Sequence, residues 1–263
     1  MSEKQPVLFE KSDGVATITL NRPTALNAMT NGLMRGISQA MDRVREDESI
    51  RVVVLTGAGR GFCAGADLSQ VAEGTTSSNT DDNDDTFNAA LNSIHNSPVP
   101  TIARVNGAAA GGGFGLALAC DISIAAHSAF FVATFGPKLG IVPDMGATWN
   151  IPRRVGRARA LGITLLGDRI SAEQAEAWGL IWAAVPDAEL DTEVARISDV
   201  LKRSSPSTST RIRATIDAAS HNTFGEQLDL EMVHQAVLIP RNMQEGARAF
   251  MQKRDAEFGP ERD

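Results

Sequence analysis

The chain has 263 residues, 43% of them hydrophobic and 22% charged, and a formal net charge of −7. That length carries one large domain with a substantial core, and the balance is that of a soluble globular protein. The negative charge argues against nucleic acid as the main partner, but it leaves room for a small anionic ligand on a local basic patch.

Val15–Leu20 is a short run bounded by turn residues and predicts a strand. Leu33, Met34, Ile37, Ala40, Met41 and Val44 then recur at helical spacing and predict an amphipathic helix. Residues 51–56 read as a second strand, and a glycine-rich turn follows through residues 57–68. Residues 73–85 lack apolar side chains and cluster acids, which predicts a mobile loop flanking that turn. Thr101–Val105 predicts a third strand, and a second glycine-rich turn runs through residues 106–113. A helix is predicted over 112–119 and a strand over 122–125, so the class is α/β. From Arg157 onward the pattern is mostly helical. Ser171-Ala-Glu-Gln174 reads as a capping box, Gly179 as a helix stop, and Ser205-Pro206 as a helix start. Phe224, Leu228, Met232, Val233 and Val237 stripe a further helix, and residues 246–250 belong to a last one. These apolar faces pack on the body or on another subunit, and the pattern favours the body.

The two glycine-rich turns carry the chemistry. Residues this small leave backbone N–H groups uncovered. Two such groups aimed at one point make a pocket for an oxyanion, and hence for an enolate. Gly57-Ala-Gly-Arg-Gly61 misses the G-x-G-x-x-G spacing of a dinucleotide site, and no Gly-Lys-Ser/Thr follows to make a phosphate loop. Gly111-Gly112-Gly113 either presents unpaired N–H groups at a helix start or allows close helix–strand packing. His95, His127, His221 and His234 show no helical pairing, so no metal site is expected, and no G-x-S-x-G marks a nucleophile elbow. Cys63 and Cys120 each sit beside a glycine-rich turn, as small packing residues or as reactive thiols. They form no disulfide framework, which suits a cytoplasmic protein. The opening Met1-Ser-Glu-Lys-Gln-Pro6 has no apolar signal core, and no segment reaches membrane-spanning length. Among the carboxylates, Asp67 suits a short helix cap and Asp121 a structural role. Asp144 suits either an N-cap or, in its apolar setting, a desolvated base.

The chain is identified as resembling the crotonase superfamily, the enoyl-CoA hydratase/isomerase group. The resemblance rests on Leu20-Asn-Arg-Pro-Thr-Ala-Leu-Asn-Ala-Met29, Phe62-Cys-Ala-Gly-Ala-Asp-Leu68, Val105-Asn-Gly-Ala-Ala-Ala-Gly-Gly-Gly113, Ala175-Glu-Ala-Trp-Gly-Leu180 and Gly246-Ala-Arg-Ala-Phe-Met-Gln-Lys-Arg254, which together span nearly the whole length. It implies a spiral of ββα repeats over residues 1–200 and a helical C-terminal region over 201–263 that trimerises, often as a dimer of trimers. It implies an acyl-CoA thioester substrate, with no metal and no cofactor beyond the coenzyme A of the substrate. The oxyanion amides fall on Ala64 and Gly112. Coenzyme A would lie along Arg22, Ala25, Leu26, Ala28, Ala64, Ala66, Asp67 and Leu68. Phe250 and Lys253 would reach it from a neighbouring subunit, and this set would supply the local positive charge.

The positions of the two glutamates of the family's hydratases fall on Gly115 and Gly136. Hydration needs groups that orient water and deliver a proton, so ordinary hydratase activity is not expected. Residues 138–149, 157–161 and 178–182 are similar to the ring-epoxide isomerase branch of bacterial phenylacetate degradation, whose catalytic aspartate falls on Asp144. The implied activity is isomerisation of an enoyl-CoA double bond from position 3 to position 2, or of a ring-epoxide CoA thioester. The alternatives are an enoyl-CoA hydratase using another acid such as Asp67, and a catalytically silent acyl-CoA-binding protein. Residues 73–85, Phe135 and Trp149 are expected to shape the acyl pocket.

Overall fold

Asp13 and Gly14 adopt left-handed backbone (φ +46° and +75°), and this turn folds Val7–Ser12 (β1) back onto Val15–Leu20 (β2) as an antiparallel pair. The computed structural model describes residues 5–69 and 80–262. Six strands form the larger sheet, in the order β1, β2, β3 (Val52–Gly57), β5 (Thr101–Val105), β7 (Ile122–Ala126) and β10 (Ala183–Val185). All pairs after the first are parallel. The smaller sheet holds β4 (Gly61–Cys63), β6 (Ala108–Ala110), β8 (Phe130–Val132) and β9 (Ile170–Ser171), in that order.

The spiral follows from the chain order. β3 and β4, then β5 and β6, then β7 and β8 each give one strand to the larger sheet and the next to the smaller. Each pair lies beside its predecessor, so the chain advances by one strand in both sheets per repeat. The repeating ββα architecture inferred from the sequence is what the chain adopts.

Helix α1 (Asn31–Glu46) buries the six residues its sequence pattern marks, from Leu33 to Val44, and Thr30 caps it by accepting the Leu33 N–H. Helix α2 (Thr80–His95) overlaps the segment expected to be a loop. Residues 80–85 are its opening turns, where acidic residue types suit the positive end of a helix. The rest of that expected loop, residues 73–79, lies outside the described residues. Helix α3 (Gly112–Leu118) is buried throughout and begins where β6 ends. Helix α4 (Ala147–Leu166) breaks at Gly156, where φ is +76° and ψ is 165°. Arg154, half-buried beside that break, donates to the carbonyls of Leu118, Cys120 and Leu180, and so ties α4 to the end of α3. Ser171 caps α5 (Ala172–Ala177) by accepting the Gln174 N–H, which is one of the two bonds of the expected capping box, and Gly179 turns the chain at φ +74°.

Helix α6 (Leu190–Lys202) packs on the core through Leu190, Val194 and Ile197. Pro206 then opens α7 (Pro206–Ala218), at the start expected for it. Arg213 of α7 grips Asp121 with two hydrogen bonds of 2.7 and 2.8 Å, and Asp121 also accepts from the Thr101 amide and hydroxyl. Asp121 is therefore structural, as read from the sequence. The expectation that the striped helix packs on the body fails. α8 (Phe224–Leu238) buries no residue in the single chain, and Phe224, Leu228, Met232 and Val233 are all exposed. Helix α9 (Gln244–Gln252) follows, and a tail returns to the body. There Arg262 donates to the carbonyls of Val44, Arg45, Asp47 and Ile50 at the open end of α1.

Candidate active site

Parallel pairing of β4 with β6 sets Cys63 opposite Ala109, so the two glycine-rich turns leave adjacent strand ends side by side. Ligands of parallel sheets gather at such ends. Gly65 makes the juxtaposition possible. Its φ is +92°, and a Cβ there would lie 2.9 Å from the Ala110 carbonyl oxygen and 3.3 Å from the Gly112 nitrogen. Gly113 packs as closely on the other side, where a Cβ would overlap the Cys63 carbonyl and lie 2.7 Å from the Cys63 Cβ. Both readings of the glycine triplet hold together, because close packing of small residues is what brings a free amide to the site.

Gly112 is the first residue of α3, and among the described residues no backbone acceptor takes its N–H. The Ala64 amide is different. It donates to the Leu26 carbonyl at 3.0 Å, so it is not an open donor. This corrects the expectation placed on Ala64. The turn pairs with Met29 instead: the Met29 N–H donates to Gly65 O at 2.7 Å and the Asp67 N–H to Met29 O at 3.0 Å. That parallel bridge turns the Ala66 N–H away from Met29, and it has no backbone acceptor among the described residues. Ala66 is also exposed. Ala66 and Gly112 thus each present an amide with no backbone acceptor among the described residues beside the junction.

The segment expected to cradle coenzyme A is braced by Asn27. Leu26 and Asn27 adopt left-handed backbone, at φ +49° and +58°. The fully buried Asn27 side chain accepts the Arg22 N–H at 2.9 Å and donates to Ala58 O at 3.0 Å and Gly61 O at 2.9 Å. Arg22, Ala25, Leu26, Ala28, Ala66, Asp67 and Leu68 fall on this brace or on the facing turn. Arg22 Nη2 pairs with Asp67 Oδ2 at 2.9 Å, so its charge is balanced rather than left as the expected basic patch. The Ser69 hydroxyl and the Arg22 guanidinium hold the Asp67 carboxyl below its ordinary range. Phe250 is exposed at the end of α9, and so is Lys253, where φ is +54°.

Asp144 precedes α4, but Gly146 holds that helix's N-cap position. The N-cap reading of Asp144 is therefore overturned, because the chain passes through left-handed Met145 and Gly146 before the helix starts. Asp144 is exposed in the single chain, not desolvated as expected, since the preceding residues 136–142 are also exposed. Those residues include the apolar Leu139, Ile141 and Val142. Met145, next along, is buried against Gly112 and Gly115. A Cβ at Gly115 would overlap the Met145 carbonyl oxygen and lie 2.7 Å from the Met145 Cβ. Trp149 lies partly exposed in the first turn of α4, with the Arg153 guanidinium 4.0 Å from its ring and the His95 ring edge-on at 5.6 Å. Phe135 is buried in the core and does not line an open pocket in the single chain.

Burial pushes both thiols up to about 12, and neither Cys63 nor Cys120 reaches solvent, so both are packing residues. Among the described residues no group of histidines, cysteines and carboxylates is placed to hold a metal ion. No helix among them is long and apolar enough to cross a membrane. Asn27, Arg154 and Met145 are the residues of this region that pattern reading missed. For Asn27 a signal existed, because asparagine tolerates left-handed backbone better than most residues.

A two-sheet spiral thus brings the amides of its two glycine-rich turns to one place. The chain belongs to the enoyl-CoA hydratase/isomerase family, whose model matches residues 10–261. Among curated relatives it is 41% identical over 256 residues to the 1,2-epoxyphenylacetyl-CoA isomerase of Escherichia coli K12, covering 96% of this chain and 97% of that one. It is 38% identical to a protein of Rhodobacter capsulatus described as a probable enoyl-CoA hydratase, covering 96% of this chain and 97% of that one. Among solved structures, that of an enoyl-CoA hydratase from Polaromonas sp. JS666 superposes with a TM-score of 0.90 at 31% identity, covering 96% of this chain and 99% of that one. The family and the spiral fold named from the sequence motifs are both correct.

Proposed function

We propose that this protein is an acyl-CoA isomerase that stabilises a thioester enolate, with Asp144 as its single acid–base group. The observation that carries the reading is the placement of Asp144. It lies outside the N-cap position, which Gly146 holds, and it adjoins Met145, which packs on both Gly112 and Gly115. Crowding of Gly115 by Met145 leaves no space there for a second carboxylate.

In this reading the Gly112 and Ala66 amides receive the thioester oxygen. A proton passes from carbon 2 of a 3-enoyl-CoA to the Asp144 carboxylate, and the electron pair moves onto that oxygen. The enolate collapses as the same carboxyl returns the proton to carbon 4, which leaves the double bond at position 2. Each amide contributes about 3 kcal/mol to the transition state. The same site accepts a ring-epoxide CoA thioester, as the name of the Escherichia coli relative suggests. Leu139, Ile141 and Val142 offer an apolar lip beside Asp144, and a bound acyl group covering that carboxylate would raise its basicity. No metal and no cofactor beyond the substrate's coenzyme A enters the scheme. The exposed apolar residues of α8 support self-association, as a homotrimer or a dimer of trimers that places Phe250 and Lys253 near a neighbour's coenzyme A.

The test is Asp144→Asn, assayed with a 3-enoyl-CoA and with an aryl-epoxide CoA thioester. Loss of at least about a hundredfold in kcat is expected for a general base. Near-wild-type turnover on every active substrate overturns the assignment. Solvent oxygen entering a 2-enoyl-CoA as the main reaction favours the hydratase alternative. Tight CoA binding without deuterium exchange at carbon 2 favours the silent binder.

A further inference from the structure

We infer that Met145 is a positioning and specificity residue: it holds Asp144 at the oxyanion turn and keeps water out of the space beside Gly112 and Gly115. The inference rests on the isomerase reading for its kinetic consequence, but its packing basis is independent of that reading.

Met145 and Gly146 are consecutive left-handed residues, at φ +53° and +70°. For methionine that conformation is strained, and it persists only where the surroundings fix it. Here they do. Met145 is 7% exposed although Asp144 before it and Gly146 after it are both exposed. The double left-handed turn is closed by the Ala147 N–H donating to Asp144 O at 2.9 Å. It drives one side chain inward and leaves its two neighbours outside.

The inward side chain goes to the oxyanion turn. Met145 Cγ lies 3.0 Å from where a Cβ on Gly112 would be, and the Met29 methyl covers the same point from another side. The Met145 carbonyl and Cβ fill the corresponding place over Gly115. A water held between α3 and Asp144 would need about 30 Å³ and at least two polar partners. That place is taken by a thioether stem and a carbonyl. The Cα of Asp144 is one step, about 3.8 Å, from the Cα of Met145. The Asp144 backbone is thereby tied to Gly112 and Gly115, while the residue itself is exposed in the single chain.

Two variants and a stability cycle test this. Met145→Gly keeps the left-handed backbone and removes the cover, whereas Met145→Leu keeps the bulk. In Met145→Gly, kcat for isomerisation should fall about tenfold or more with little change in KM, because a base displaced by an ångström loses its alignment. In labelled water the hydrated share of product should rise. Met145→Leu should keep the wild-type product ratio. An unchanged kcat and product ratio in Met145→Gly overturns the role of Met145 while leaving the isomerase reading intact. Full activity in Asp144→Asn overturns the isomerase reading by a separate observation. The cycle needs no substrate. Gly115→Ala should lower Tm in the wild-type background and lower it much less in the Met145→Gly background, where the crowding carbonyl is free to shift. Additive effects would refute the packing on which the inference stands.

Discussion

Replacing Asn27 with alanine removes three hydrogen bonds from a side chain with no solvent exposure. Each contributes about 1 kcal/mol net, so the loss is about 3 kcal/mol. Alanine at φ +58° adds about 1 kcal/mol of backbone strain that asparagine partly avoids. Asn27→Ala should therefore destabilise the protein by about 4 kcal/mol, and Asn27→Gly by about 1 kcal/mol less, because glycine tolerates the left-handed region. Urea unfolding followed by circular dichroism, at one fixed protein concentration, measures both. The same brace positions Leu26 O, which takes the Ala64 N–H, so affinity for a CoA thioester should fall alongside stability. An Asn27→Ala protein within about 1 kcal/mol of wild type would refute the reasoning, since that is the size of an ordinary surface substitution.

Cys63 and Cys120, with thiols pushed up to about 12 by burial, should not react with iodoacetamide at pH 8 until denaturant is added. Intact-mass spectrometry reads the adducts, and rapid labelling of folded protein would contradict their burial. Arg254 and the Glu257 N–H hold the Glu245 carboxyl down, from an ordinary value of 4.5 to about 2. Its folded value lies below its unfolded one, so its contribution is complete above about pH 4.5 and disappears as pH falls toward 2. Amide exchange over α9 and the following tail should accelerate in that window, and Glu245→Gln should abolish the acceleration.

The sequence made the long elements legible because their patterns are local. The six buried residues of α1 recur at helical spacing, and Ser171 and Pro206 announce the starts of α5 and α7. The short strands of the smaller sheet left no such trace. β4 is Gly-Phe-Cys and β6 is Ala-Ala-Ala, and both exist through pairing across the spiral rather than through β propensity. At the site, the two glycine turns and Asp144 were visible as motifs. Which amide stays open was not. Ala64 and Ala66 differ only in what Leu26 and Met29 do opposite them, and that is tertiary information. The stripe on α8 was visible too, but a stripe does not say what covers it, and Phe224, Leu228, Met232 and Val233 stay exposed among the described residues.

The two turns are not separate features that happen to meet. Gly113 faces the end of β4 so closely that any Cβ would strike the Cys63 carbonyl, while Gly65 faces Gly112 from the first glycine-rich turn. Each turn is the other's packing surface, and the distance between the Ala66 and Gly112 amides is set by these two contacts. Gly113→Ala is therefore a perturbation of geometry rather than of chemistry. It removes no polar group, but it must lift the start of α3 away from β4 and spread the two donors. If they act together on a developing oxyanion, kcat should drop by up to about a hundredfold, the value of one donor. KM should change little, because the cradle at residues 22–28 is untouched. A Gly113→Ala protein that is folded by circular dichroism and keeps wild-type kcat would show that the oxygen is not held between these turns.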